Sequence, residues 1–317
     1  MKLAFVGKGG SGKSTVSAFF FLELVRLGKH VLFIDADLNM HVRDLLTITL
    51  SEDKNLSLPG NMQKIRTHMI GTSTRIASPD HMYYSTPPSR GCNLLTVSSR
   101  DPLVRDYFAH YADNAFVGEV GTYTKDVIGT TCYHTNLAIL ENLLRFSRIA
   151  RDEYLIADMV AGVDAFANTM YAQFDAFILA VEPTVESVNV FNQYSALAKE
   201  TGIQDRILVI YNKIQDASDT AFLDSKIPSQ HRLGTVAELK DLKEARRSGL
   251  KLDTLKTSTV FDPAISTMLS TIDSLYQDPQ TYLERMHTLH EQCSQEDWIR
   301  QAVGDIRSQI DTTFTYE

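Results

Sequence analysis

The feature that most constrains the fold is a glycine-rich segment near the start of the chain, residues 7–14, which reads GKGGSGKS. It follows a short apolar run at 3–6, typical of a buried parallel strand, and precedes helical apolar spacing that begins at Thr15. The spacing G-x-x-x-x-G-K-S fits the P-loop pattern, and a strand before it with a helix after it is the context that separates a P-loop from a glycine turn that binds nothing. The sequence therefore predicts a phosphate-binding loop.

Each part of this loop has a chemical role toward a nucleotide. Glycines let the backbone bend so that consecutive N–H groups point at phosphate oxygens, and the helix N-terminus adds positive partial charge. Lys13 is predicted to reach the β and γ phosphates, and the Ser14 hydroxyl is predicted to ligate Mg²⁺. The predicted nucleotide contacts of the loop are Gly9, Gly10, Ser11, Gly12, Lys13, Ser14 and Thr15.

Apolar runs alternate with helical patterns along much of the chain, which predicts an α/β fold with a doubly wound, mostly parallel sheet, the P-loop NTPase class. The strand candidates are residues 3–6, 31–34, 94–97, 154–158, 176–182 and 207–212. The chain has 317 residues, of which 44% are hydrophobic, so it can build a full core and is not mainly disordered. We expect one P-loop domain spanning residues 1–317 with an insertion.

The alternation weakens between residues 52 and 131, where Pro-Gly and Pro-Pro pairs punctuate polar stretches, so this segment is the predicted insertion. Such an insertion either carries partner contacts or a lid, or is a surface excursion with no special role. Residues 280–317 are predicted to form a C-terminal helical segment. Its apolar positions Ile299, Val303, Ile306 and Ile310 have helical spacing. The opposite face carries acidic residues instead of a lysine-rich stripe, which favours packing or a dimer contact over membrane binding.

Charge and cysteine content narrow the functional classes. The formal net charge of -8 argues against a protein whose main affinity comes from neutralising nucleic-acid phosphates. Cys92, Cys132 and Cys293 form no disulfide framework, which favours a reducing compartment. The sequence has no signal-peptide pattern and no run of roughly 20 apolar residues, so we expect a cytoplasmic protein.

Carboxylates emerge at two predicted strand ends, Asp35 and Asp37 after 31–34 and Asp158 at the end of 154–158. Beside a triphosphate such groups can hold Mg²⁺ or orient the attacking water, because phosphoryl transfer depends on positioning and charge neutralisation. The alternative is that they cap helices or are solvated in loops.

The second lysine of the loop, Lys8, makes it unusual. K-G-G-x-G-K-[ST] resembles the deviant-Walker ATPases, the group of MinD, ParA, nitrogenase iron protein and CooC. This resemblance implies an ATPase that uses ATP and Mg²⁺ and forms a homodimer on ATP binding, with Lys8 reaching the partner's phosphates to stabilise the transition state. The alternative for Lys8 is a solvated loop lysine.

The resemblance also implies roles outside the loop. Asp37 falls where relatives position the attacking water, Asp158 where they carry the aspartate near Mg²⁺, and Gly162 where a backbone N–H senses the γ phosphate. Asn212, followed by Lys213, falls where relatives place an Asn for the adenine amino group, although an Asn also favours turns locally. Two positions depart from the family pattern, since Leu38 and Ala237 stand where prolines are common, and Leu38 puts the hydrolysis rate in question.

Two further segments, DMVAGVDAF from Asp158 and AVEPTVESVNVF from Ala180, resemble CooC-like proteins more than ParA-type proteins. CooC-like proteins bind a metal at the dimer interface through a C-x-C pair, and Cys132 and His134 fall at that position. Doubled by symmetry, they would supply four ligands, enough for Zn²⁺, with nickel or copper also chemically possible. Otherwise Cys132 is simply buried and His134 is solvated or caps a helix. A second pattern, His287, His290 and Cys293, is poorly phased for metal binding on one helix.

These observations predict a slow, dimeric, ATP-hydrolysing switch of CooC type that assists metal (nickel) insertion into a client metalloenzyme. The main alternative is a ParA- or MinD-like positioning ATPase that acts on DNA, membrane or a protein partner without metal. A ligase resembling dethiobiotin synthetase would share the loop, and Lys8 disfavours it. We find no clustered basic helix that would support nucleic-acid or membrane binding.

Overall fold

The computed structural model of the chain describes residues 1–122, 133–166, 168–239, 252 and 260–316, with only the backbone of 133–135. Within these ranges a nine-stranded sheet has the order β3-β4-β2-β5-β1-β6-β7-β8-β9. The strands are β1 (Lys2–Gly7), β2 (His30–Ala36), β3 (Ala109–Ala112), β4 (Ala115–Glu119), β5 (Glu153–Met159), β6 (Ala176–Val181), β7 (Ile207–Ile214), β8 (Arg232–Ala237) and β9 (Phe261–Asp262). Neighbours from β4 to β8 pair in parallel, and β3 and β9 are antiparallel edges. This confirms the predicted doubly wound, mostly parallel sheet.

Helices cover both faces of the sheet. Those in the described part of the chain are α1 (Lys13–Arg26), α2 (Val42–Leu46), α3 (Pro59–Ile70), α4 (Pro102–Tyr107), α5 (Tyr133–Arg145), α6 (Val185–Glu200), α7 (Ala217–Asp224), α8 (Ile265–Asp273), α9 (Pro279–Ser294) and α10 (Asp297–Val303). In β1, Ala4 and Val6 enter the core layer beneath α5 and α6, whereas Leu3 and Phe5 enter the layer beneath α1 and α8. Both faces of a strand are therefore buried, which is why β1 reads as a continuous apolar run.

Five of the predicted strands match β1, β2, β5, β6 and β7, and the sixth is wrong. In residues 94–97 only Leu95 forms an isolated bridge, to Ser147. Four strands of the described sheet, β3, β4, β8 and β9, are not among the predicted ones. In β4 the apolar run is broken by Gly118. A Cβ at Gly118 would clash with the ring of Phe108, so the glycine is required by packing and hides the strand signal.

The predicted insertion, residues 52–131, and the predicted C-terminal helical segment, residues 280–317, contain different structural elements. β4 lies inside 52–131 and pairs directly with β2, while the limits of that segment as an insertion stay a prediction. Residues 280–317 contain most of α9 and all of α10, but α10 ends at Val303, where Gly304 has a φ of 78°. Ile299 and Ile306 are both buried, yet they do not belong to one helix. None of the helices in the described ranges is long and apolar enough to cross a membrane.

Candidate functional site

Chemically active side chains gather at the carboxyl edge of the sheet, where parallel α/β folds bind ligands. The loop between β1 and α1 occupies the centre of this edge. Around it lie four groups at the carboxyl ends of neighbouring strands. Asp37 and Glu182 directly follow β2 and β6, and Asp158 and Asn212 lie within β5 and β7 near their carboxyl ends. The topology thus brings residues from four distant parts of the sequence to one loop.

Two glycines give the loop its path. Gly10 and Gly12 have φ values of 83° and 87°, in the left-handed region that favours glycine. Gly12 also faces Asn212, whose Nδ2 donates to the Ser11 carbonyl oxygen at 2.6 Å, and a Cβ on Gly12 would overlap that amide. Gly12 of the loop and Asn212, which lies near the carboxyl end of β7, are therefore in close contact.

Lys13 lies at the first turn of α1 with its ammonium group between two carboxylates. Its Nζ is 2.9 Å from Asp158 Oδ1 and 3.2 Å from Asp37 Oδ2, and it donates to Ser14 Oγ at 3.4 Å. Burial lowers the pKa of Lys13, but the two carboxylates outweigh burial and the net pKa is raised. Lys13 is therefore a buried, permanently charged cation at the start of the helix.

The aspartates that follow β2 have different surroundings. Asp35 does not pair with Lys13: it is fully buried and accepts the N–H groups of Asp37 at 3.0 Å and Val42 at 2.9 Å. Burial, and then Asp158, raise the pKa of Asp35. Asp37 accepts Asn39 through Oδ1, and although burial raises its pKa, Lys13 and Asn39 lower it below the usual value. Asp35 thus shapes the turn, while Asp37 presents an ionised carboxylate.

Asp158 carries a free buried oxygen. Its Oδ1 binds Lys13, whereas its Oδ2 has no hydrogen-bond partner among the described atoms. An orphaned buried carboxylate oxygen is costly unless a ligand uses it. With the Ser14 hydroxyl also reached by Lys13, these oxygens are of the kind that Mg²⁺ prefers.

Gly162 touches the loop through its backbone. Its N–H donates to the Gly7 carbonyl oxygen at 3.1 Å, and its φ is 98°. The segment after β5 is therefore hydrogen-bonded to the start of the phosphate loop.

Glu182 is a site residue that the sequence reasoning missed. Its two oxygens bind two lysines, Lys8 at 3.0 Å and Lys213 at 2.8 Å, and Lys213 Nζ also donates to the Gly10 carbonyl oxygen at 2.6 Å. Burial raises the pKa of Glu182, but the two lysines outweigh burial and lower it. The signal available in the sequence was its position, an acidic residue directly after β6, at the same sheet edge as Asp37.

The candidate transition-metal ligands are not assembled by the described part of the chain. Cys132 lies outside the described residues, and so does the side chain of His134. His290 engages both ring nitrogens, Nδ1 with Ser85 Oγ and Nε2 with the Ile306 carbonyl oxygen, each at 2.9 Å. Across the described ranges no group of three or more His, Cys, Asp or Glu side chains is arranged to hold a metal ion.

Comparisons with known proteins identify the family of the chain. The profile of the family "CobQ/CobB/MinD/ParA nucleotide binding domain" matches residues 3–252. The chain is 24% identical over 250 residues to the carbon monoxide dehydrogenase accessory protein CooC of Rhodospirillum rubrum, covering 79% of this chain and 88% of that protein. It is 25% identical over 254 residues to an uncharacterized ATP-binding protein of Methanocaldococcus jannaschii, covering 79% and 92%.

Solved structures show the same fold. The cell division ATPase MinD of Pyrococcus furiosus superposes with a TM-score of 0.55 at 16% identity, covering 87% of this chain and 99% of that one. A ParA family ATPase from Chlorobium tepidum gives a TM-score of 0.54 at 17% identity, covering 86% and 96%.

Proposed function

The chain belongs to the CobQ/CobB/MinD/ParA nucleotide-binding family of P-loop ATPases, and from this premise we propose that it is a dimeric, ATP-hydrolysing switch that assists metal-centre assembly in a client enzyme. The main structural support for a nucleotide-driven switch is the buried Lys13, which lies between Asp37 and Asp158 beside the phosphate loop. A cation and two carboxylates from three elements meet where a triphosphate would end.

In the proposed nucleotide complex, Lys13 leaves its carboxylates for the β and γ phosphates, and the N–H groups of residues 9–15 bind phosphate oxygens. Mg²⁺ would be held by the Ser14 hydroxyl, with Asp158 beside it, and would neutralise phosphate charge when bound. A solved MinD from Pyrococcus horikoshii is described with Mg-ADP, which supports this assignment. The Gly162 N–H is proposed to exchange the Gly7 carbonyl for the γ phosphate.

Hydrolysis requires a positioned water. We assign this to Asp37, whose pKa is lowered and which therefore accepts a hydrogen bond from water at neutral pH. The water oxygen bonds to the γ phosphorus while the bond from that phosphorus to the β–γ bridging oxygen breaks, the water proton passes to an oxygen of the phosphate that forms, and ADP and phosphate are released. The backbone N–H and the side-chain Nδ2 of Asn39 both donate to Asp37 Oδ1, so the carboxylate stays oriented after Lys13 has left Oδ2, even though Leu38 stands at the usual proline position.

Lys8 is proposed to act across a dimer. The Lys8 side chain is about one-third exposed and is bound to Glu182 in its own chain. Its ammonium group can therefore leave Glu182 and bind the partner's phosphates when two loops face each other. Asn212 is proposed to bind adenine: because its Nδ2 is used by Ser11, its Oδ1 remains to accept the adenine amino group. Lys213 beside it ties this segment to the loop.

The metal role is supported by the CooC relative and by the Cys132 and His134 pattern. In a symmetric dimer, two copies of this pair would bind one Zn²⁺ or Ni²⁺ ion as cargo for the client. The test is the metal content of protein locked with a non-hydrolysable ATP analogue, comparing the wild type with Cys132→Ser. Cys92→Ser is the matched control, since it removes a thiol remote from α5 in sequence.

We expect about one ion per dimer, lost in Cys132→Ser and kept in Cys92→Ser. Absence of metal from all three proteins, after loading with zinc or nickel, would overturn the metal role. It would favour a nucleotide-switched partner-binding protein of ParA or MinD type and leave the ATPase assignment intact.

A further inference from the structure

A second cavity lies at the edge of the sheet opposite the phosphate loop. It has a volume of about 500 Å³ and opens where β1, β5 and β6 begin. Lys2, Asp175 and Glu153 line its polar side, and Tyr276, Tyr282 and Tyr316 are among its aromatic walls. Because β1 has the P-loop at one end and this cavity at the other, the two sites are distinct.

The carboxylates of the cavity are already used by the backbone. Asp175 accepts the N–H of Lys2 at 2.7 Å on one oxygen and the N–H of Gln277 at 3.1 Å on the other. Glu153 accepts the N–H of Ala150 at 3.0 Å. These acids therefore serve the local fold, and an amine ligand would have to compete with the amides that hold them.

The cationic groups of the cavity, in contrast, have N–H groups that are still available as hydrogen-bond donors. Lys2 Nζ donates to the Leu144 carbonyl oxygen at 2.6 Å and lies 4.3 Å from the centre of the Tyr282 ring, so it has N–H groups left over. Burial lowers the pKa of Lys2 to about 7, Asp175 opposes this, and Arg145 and Arg285 reinforce it. Arg148, at the exposed mouth, forms no ion pair with any described residue.

Two arginines behind the cavity wall, Arg145 and Arg285, add to the positive charge of Lys2 and Arg148. Arg145 is fully buried, and its Nε and one terminal nitrogen have no hydrogen-bond partner within the described ranges; Arg285 likewise has two such nitrogens. The neighbouring acid, Glu141, lies 3.7 Å from Arg145, and burial raises its pKa to about 7, so near neutral pH it compensates only part of this charge. An added anion would be stabilised here.

We propose that this cavity is a binding site for a small organic anion with a flat apolar body, such as an aromatic carboxylate or sulfonate. Its charged group would bind Lys2 and Arg148, and its ring would pack among Tyr276, Tyr282 and Tyr316. The proposal is independent of the ATPase and metal roles, because no residue of the phosphate loop takes part.

The test uses a pair of fluorescent probes that differ in charge. 8-Anilinonaphthalene-1-sulfonate carries an aromatic body and one anion, and N-phenyl-1-naphthylamine has the same rings without the sulfonate. Both are titrated into full-length protein saturated with a non-hydrolysable ATP analogue, so that the nucleotide site is filled. The variants are Lys2→Met and Arg148→Gln, with Arg151→Gln as a matched control, since Arg151 is exposed close by but does not line the cavity.

We expect the sulfonate to bind once per chain and to bind at least about fivefold more weakly to Lys2→Met and Arg148→Gln, because each loses a charge-assisted hydrogen bond. Arg151→Gln should match the wild type, and the uncharged probe should bind all four proteins alike. Unaltered sulfonate affinity in Arg148→Gln, which lies at the surface and keeps the core intact, would overturn the proposal. So would an equal loss for both probes, which would indicate general unfolding of the pocket.

Discussion

Glu182→Gln is the perturbation that separates a restrained Lys8 from a merely solvated one. In the structure both oxygens of Glu182 are occupied by lysines, Lys8 at 3.0 Å and Lys213 at 2.8 Å. If Lys8 must reach the phosphates of a partner, it must first leave this carboxylate. Replacing the carboxylate with an amide keeps the shape of the side chain and removes the charge that holds Lys8.

The magnitude follows from the type of contact. An ion pair of a partly exposed lysine is worth up to about 1 kcal/mol. A symmetric dimer releases two copies of Lys8, so Glu182→Gln should strengthen ATP-dependent dimerisation by about 2 kcal/mol, or roughly thirtyfold in the dimer dissociation constant. Sedimentation velocity with a non-hydrolysable ATP analogue, over a range of protein concentrations, measures this constant directly.

Two controls define the result. Glu186→Gln removes the same charge from an exposed position on α6 and should leave dimerisation unchanged. In a Lys8→Ala background, Glu182→Gln should have no further effect, because the restrained group is gone. A weaker dimer in Glu182→Gln would show that Glu182 supports Lys8 instead of restraining it, and an effect that persists without Lys8 would show that Lys8 is not the restrained group.

Three further predictions address the same chain. Lys13→Ala should reduce ATP affinity at least about a hundredfold by calorimetry, because the phosphates lose their buried cation; near-normal affinity in a folded variant would disprove the P-loop assignment. Asp37→Ala should keep ATP binding but slow phosphate release about a hundredfold or more in a steady-state assay, whereas normal turnover would exclude Asp37 as the water-positioning group. Burial lowers the pKa of His290 to about 4, against 6.5 when unfolded, so the unfolded chain binds more protons between these values and stability falls as pH drops from about 6.5 to 4. Urea unfolding at pH 7 and pH 4 should show that the free energy of unfolding falls by up to about 3 kcal/mol because of this group, and the fall should be correspondingly smaller in His290→Gln. An identical pH dependence of the free energy of unfolding in both proteins would show that His290 does not contribute to it.

Local sequence patterns were sufficient for the centre of this fold. β1, β2, β5, β6 and β7 are buried on both faces, so their apolar runs carry a strong signal. The phosphate loop could be predicted equally well, because its residue spacing and its strand–helix context lie in the same stretch of chain. Patterns failed where a tertiary contact determined the local structure, as at Gly118, whose missing side chain accommodates Phe108 and interrupts the strand signal of β4.

The sequence predicted the site to the same extent as the fold, and the prediction was incomplete where contacts between separate segments determine the geometry. Asp37 and Asp158 could be placed together because both lie at the carboxyl ends of parallel strands, and in the structure both bind Lys13. The contact of Lys8 with Glu182 and that of Asn212 with the Ser11 carbonyl oxygen join residues that are 174 and 201 positions apart, which no single local pattern encodes. The separate role of Asp35, buried and bound to amides, also became visible only with the turn in place.

The ATP hydrolysis rate per subunit, measured as a function of protein concentration for wild type and Lys8→Ala side by side, distinguishes a dimeric switch from subunits that act alone. Two loops that complete each other across a dimer predict a wild-type rate per subunit that rises with concentration and then saturates, and a low, concentration-independent rate for Lys8→Ala. A wild-type rate that is constant across the whole range, and equal to that of Lys8→Ala, would contradict a dimeric switch built on this lysine.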